Sequence, residues 1–116
     1  MKRLALLLAL VAGPAAADWS RIADRDAFLQ TVTGRSLDIG LFGISLQVGS
    51  DGSIRGVAQG QEVSGNWAWE SGYFCRTLAW GSESWPRNCQ LVQLDGNRIR
   101  FTSDQGSGDS ARFTLN

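Results

Sequence analysis

From Gly34 to the C-terminus, apolar and polar residues alternate with a period of two, and glycine-containing turns interrupt the alternation about every ten residues. Strands half-buried in an antiparallel sheet read this way. One earlier segment follows a different period. Across residues 24–33, Phe28, Leu29 and Val32 fall on one stripe of a helix, and Gly34 stands where a C-terminal stop belongs. Asp24 and Asp26 sit in its first turn, where the helix dipole favours carboxylates.

Turn length fixes register, and register fixes which side chains share a face. A loop Ser50-Asp51-Gly52 places Val48 beside Ile54 and Leu46 beside Gly56. A Gly60-Gln61 turn then predicts Ala58 beside Val63, Gly56 beside Gly65 and Ile54 beside Trp67. Ser71-Gly72 sets Trp69 beside Phe74 and Trp67 beside Arg76, and Asp95-Gly96 sets Val92 beside Ile99 and Gln90 beside Phe101. A direct cross-strand pair of Cys75 and Cys89 carries the same face onward, with Phe74 beside Gln90.

These independent turns agree on one apolar side: Ile44, Leu46, Val48, Ile54, Val63, Trp67, Trp69, Phe74, Leu78, Trp80, Val92, Leu94, Ile99, Phe101, Ala111, Phe113 and Leu115. Arg55, Asn66, Gln93, Arg98, Arg100, Arg112 and Thr114 fall on the other, as do Leu91 and the two cysteines. Arg76 and Gln90 are the exceptions on the apolar face. The expected fold is mainly β, an antiparallel meander of about seven or eight strands of ~5–6 residues, curled into a small barrel or strongly bent sheet with the helix over one end. Barrels of this size are expected to fill with their own side chains. Gly56 opposite Gly65 would leave room there for the ring of Trp67 or Trp69.

The N-terminus sets the compartment. Lys2-Arg3, an apolar run from Leu4 to Ala12 and the small residues Ala15-Ala16-Ala17 form the three-part pattern of a secretory signal over residues 1–17, leaving a single exported domain, 18–116. The run is too short to span a bilayer, and no other stretch approaches the ~20 apolar residues that a membrane helix needs. A periplasmic or secreted monomer is expected. In that setting Cys75 and Cys89 read as a disulfide, closing a loop of about 15 residues worth roughly 3 kcal/mol in the chain-entropy model.

Composition removes most chemistries. Past the signal there are nine Arg against eleven Asp plus Glu and no Lys, so nothing favours nucleic acid or anionic lipid. The chain has no His, which excludes Ser-His-Asp and Cys-His catalysis and His-ligated metals. Gly106-Ser107-Gly108-Asp109-Ser110 superficially suggests a phosphate loop or a nucleophilic serine, but a strand follows it instead of a helix and no base accompanies the serine. No catalytic residue, metal site or cofactor is expected. Acidic residues are scattered singly, mostly in turns.

The binding candidates are Trp85, Arg87, Arg76 and Trp67. Trp85 and Arg87 flank Pro86 in the segment between the cysteines, read as a stapled loop with the composition of an interaction hot spot. Arg76 must be paired, stacked or near a rim. The ring of Trp67 and the acceptors of Gln90 and Asn88 are its expected neighbours. The leading expectation is a non-enzymatic binding module, for an unknown protein or small ligand, that acts through the Trp85 loop. An inhibitor of a secreted protease or lysozyme is a narrower version of the same class. A hydrolase using paired carboxylates is the alternative from another class.

Gly65-Asn66-Trp67-Ala68-Trp69, Gly72-Tyr73-Phe74-Cys75-Arg76, Asn88-Cys89-Gln90 and the stretch from Arg98 to Asp104 resemble a family of short exported bacterial proteins of no established function. Members are often labelled dihydrodipicolinate reductase. That chemistry needs a strand, a glycine-rich loop and a helix to hold a dinucleotide, and this chain has no such unit. A looser similarity, of architecture only, is to periplasmic protease and lysozyme inhibitors built as disulfide-stapled β-barrels.

Overall fold

The computed structural model describes residues 18–116; the signal segment expected over residues 1–17 lies outside the described residues. A two-residue strand Ser20–Arg21 (β1) precedes the helix Arg25–Val32 (α1). Strands Leu37–Ile39 (β2), Ile44–Val48 (β3), Ser53–Ala58 (β4), Gln61–Glu70 (β5), Tyr73–Trp80 (β6), Glu83–Asp95 (β7), Arg98–Thr102 (β8) and Ser110–Leu115 (β9) follow. Each of these eight pairs antiparallel with the next, and β9 returns to β2, closing an eight-stranded barrel. Closure removes the free edges that an open meander would expose. β1 adds to β7 where β6 has ended, with Ser20 opposite Leu94.

The apolar face expected from alternation is the inside of this barrel. Val63, Val92, Ile99 and Leu115 are buried there, and Arg55, Asn66, Arg98 and Arg112 are exposed outside. Ala111 is the exception, exposed at the start of β9. Two registers differ from the expectation by two residues. Gln59 and Gly60 both adopt positive φ and form the β4–β5 turn, so Ala58 faces Gln61, Gly56 faces Val63 and Ile54 faces Gly65. The β7–β8 turn is likewise Gly96-Asn97, which sets Leu94 opposite Ile99 and Val92 opposite Phe101. A two-residue slip keeps every side chain on its own face, so the apolar face survives while the pairs change.

Gly56 and Gly65 therefore do not face each other, and neither makes room for a ring. A Cβ on Gly56 would lie 2.1 Å from the Ser45 carbonyl oxygen, and one on Gly65 would lie 2.3 Å from that of Thr77. Both glycines let neighbouring backbones approach where the sheet bends.

α1 plugs one end of the barrel. Asp24 caps it by accepting from the Ala27 N–H at 2.8 Å. Phe28, fully buried, enters the interior with its ring centroid 5.4 Å from Trp67, 5.0 Å from Trp69 and 5.1 Å from Phe74. The indole N–H of Trp69 donates to the Ala23 carbonyl at 3.3 Å, and Arg25 donates to the Ser50 carbonyl at 3.3 Å, tying the helix to the barrel rim.

Candidate functional site

The aromatic plug occupies only part of the interior. Beyond it lies a cavity of about 200 Å³ walled by Leu37, Leu46, Val48, Ile54, Phe74, Leu78, Phe101 and Phe113. Its lining ends in polar groups: Arg76, Gln90, Ser103, Asp109 and Ser110. Asp109, Ser110 and Ala111 are the exposed members of the lining, which places the mouth beside the β8–β9 loop. The expectation that side chains fill the barrel is thus corrected. The cause is visible in β7, which runs 13 residues but pairs with β8 only from Leu91 onward. Its first half pairs with β6 alone, and on its other side the β8–β9 loop, held by Asn88 and Gln90, stands where a paired strand would be.

The β6–β7 hairpin sets the polar end. Cys75 and Cys89 are bonded and directly opposite, with Arg76 facing Asn88 on one side and Phe74 facing Gln90 on the other. Beyond Arg76 the register shifts, and Pro86 and Arg87 together oppose Thr77. This bulge tolerates a proline in a strand. Its Pro86 carbonyl accepts from Arg76 Nη1 at 3.3 Å. Asn88 clamps the β8–β9 loop, donating from Nδ2 to Asp104 Oδ1 at 2.8 Å and accepting at Oδ1 from the Asp104 N–H at 3.0 Å.

Of the four expected binding residues, only Arg76 reaches the cavity. Trp67 is 6% exposed, spends its indole N–H on the Gly49 carbonyl at 2.8 Å, and packs beneath the helix. Its ring face is met by Arg25, at 5.4 Å, so the expected Arg76–Trp67 contact is replaced. Trp85 is not in a loop: the turn is Gly81-Ser82, and Trp85 lies in β7 with its ring 4.2 Å from Trp80. Arg87 is on the outer surface, ion-paired with Glu70. Trp67, Arg76 and Arg87 nevertheless line a second depression together, beside Cys75 and Thr77, so Arg76 borders both it and the cavity, while Trp85 lies apart from both.

Arg76 is partly buried, and that burial pulls its guanidinium below its ordinary pKa. It remains cationic at neutral pH. Among the described residues no carboxylate pairs with it; the one ion pair found there is Arg87–Glu70. Gln90 is 7% exposed, yet among the described residues its carboxamide makes a single long hydrogen bond, Nε2 to Ser103 Oγ at 3.4 Å. A carboxamide can make up to about four. Two underused polar groups thus face an apolar cavity. Sequence reasoning placed Arg76 and Gln90 on the inner face but missed Ser103, Asp109 and Ser110. For Ser103 and Asp109 the only signal was position, since they continue the inward alternation of β8 and β9 past the strand ends; Ser110 opens β9 on the outward parity and gave none.

Comparison with known protein families, curated proteins and solved structures yields no match to this chain. The functional reading rests on the site itself.

Proposed function

We propose that this protein is a non-enzymatic binding module whose site is the barrel interior, taking a small, largely apolar ligand through the mouth beside the β8–β9 loop. One observation carries the reading: a closed barrel keeps an apolar cavity of about 200 Å³ whose polar end holds a partly buried Arg76, without an ion-pair partner among the described residues, and the underused amide of Gln90. An unmade hydrogen bond on a buried group costs ~1–3 kcal/mol, and for the buried Gln90 amide a ligand at this position offsets that cost. Among the described residues Asp109 is the one carboxylate in the lining, whereas glycosidase chemistry uses two facing carboxylates. The disulfide is compatible with a place outside the cytoplasm, in line with an exported protein.

The reading is tested by plugging the mouth. Ala111, exposed at the cavity rim, tolerates a large side chain without disturbing the buried wall. Equilibrium dialysis of the oxidised protein against single-ring probes should show saturable one-to-one binding, abolished in Ala111→Trp with little change in Tm. Binding that persists in Ala111→Trp would place the site elsewhere.

A further inference from the structure

Accepting the lumen as the binding site, we infer that its ligand is a compact monoanion: a carboxylate bearing one ring or a short alkyl chain, with its head on Arg76 and Gln90 and its tail among Leu46, Val48 and Ile54.

Size sets the tail. An apolar cavity of ~150 Å³ holds benzene, so about 200 Å³ admits a ring with one or two further carbons. A longer acyl chain would protrude from the mouth. Charge sets the head. Among the described residues Arg76 is the only cation in the lining, and its one acceptor is a carbonyl at 3.3 Å, which leaves the rest of its fork open. A carboxylate accepts two parallel N–H bonds from such a fork. Partial burial strengthens that pairing, because water competes less for the guanidinium.

Gln90 adds the second donor. Amide oxygen and nitrogen are interchangeable within one orientation choice, and Ser103 Oγ sits 3.4 Å from the amide end. With the amide turned over, the Ser103 hydroxyl donates to the carbonyl oxygen and the NH₂ points toward a ligand head beside Arg76. Asp109 limits the charge. It lines the mouth without pairing to Arg76, so a second negative group directed outward would meet a like charge. A monoanion whose tail runs inward avoids it.

Phenylacetate, 2-phenylethanol and phenethylammonium share one ring and one linker and differ in the head alone. Calorimetry of the oxidised protein at neutral pH should find phenylacetate bound one-to-one and at least tenfold more tightly than the alcohol, with no saturable binding of the ammonium. Arg76→Met should weaken phenylacetate tenfold or more and leave the alcohol within about twofold, which also reports that the lumen is intact. Arg76→Gln, isosteric in its first carbons and still a donor, should lie between. Equal affinity for acid and alcohol, an unchanged acid affinity in Arg76→Met, or preference for the ammonium through Asp109 would overturn the anion assignment while leaving the lumen as the site. Failure of all three probes to bind would overturn the lumen reading itself.

Discussion

Single residues show how local backbone chemistry decides this fold. Gln59 occupies a left-handed position at φ 53° in the two-residue β4–β5 turn. Asn tolerates that region better than Gln, whose side chain gives no local compensation. Gln59→Asn is expected to raise stability by up to ~1 kcal/mol, read by urea denaturation. Gly65→Ala is expected to cost ~1–3 kcal/mol, since its Cβ would meet backbone that cannot step aside. Asp38 ties the closing seam, accepting from Ser36 and from Asn116 Nδ2 at 2.6 Å. Hydrogen bonds from Ser36, Ser45 and Asn116 hold its carboxyl below the ordinary 3.8. A depressed carboxyl stabilises the folded chain above its unfolded pKa and loses that contribution as pH falls through the folded value. That contribution should therefore fade as pH falls below about 4, and Asp38→Asn should flatten this part of the stability profile.

At the scale of elements, the β6–β7 hairpin carries most of the information. The cysteine pair made its register legible: Phe74 opposite Gln90 and Trp67 opposite Arg76 follow from residue spacing and hold in the structure. The bulge at Thr77 was not legible, because one extra residue on β7 leaves no mark on an alternation already broken by Pro86 and Arg87. That bulge turned an expected loop into a strand and moved Trp85 onto Trp80. Trp85→Ala should cost about 1 kcal/mol, the scale of one aromatic pair, and leave ligand binding in the lumen unchanged. Reduction of Cys75–Cys89 acts differently, since it frees the strands that hold Arg76 and Asn88 in register. Binding of phenylacetate should weaken on reduction before the barrel unfolds, a separation visible when calorimetry and thermal melting are run on the same sample.

The whole molecule adds what no strand pattern contains. Which residues face inward was readable from alternation, and the two slipped turns did not spoil it because each moved by two. Whether the interior is full was not readable, since that depends on strand tilt, closure and where β7 leaves β8. A list of inward residues carries no volume. The helix was legible in place and in role, yet Phe28, standing between Trp67 and Trp69, occupies the space that the glycines were expected to provide. The candidate site arises from these two facts together: α1 fills one end, and the departure of β7 leaves the other end open.

Methyl NMR spectra recorded while phenylacetate or 2-phenylethanol is titrated into the oxidised protein test this most directly. The account predicts that methyl signals of Leu46, Val48 and Ile54, all buried on the cavity wall, shift saturably while the indole signals of Trp80 and Trp85 stay in place. Shifts confined to Trp80 and Trp85, with the wall methyls silent, would contradict it and return the site to the hairpin.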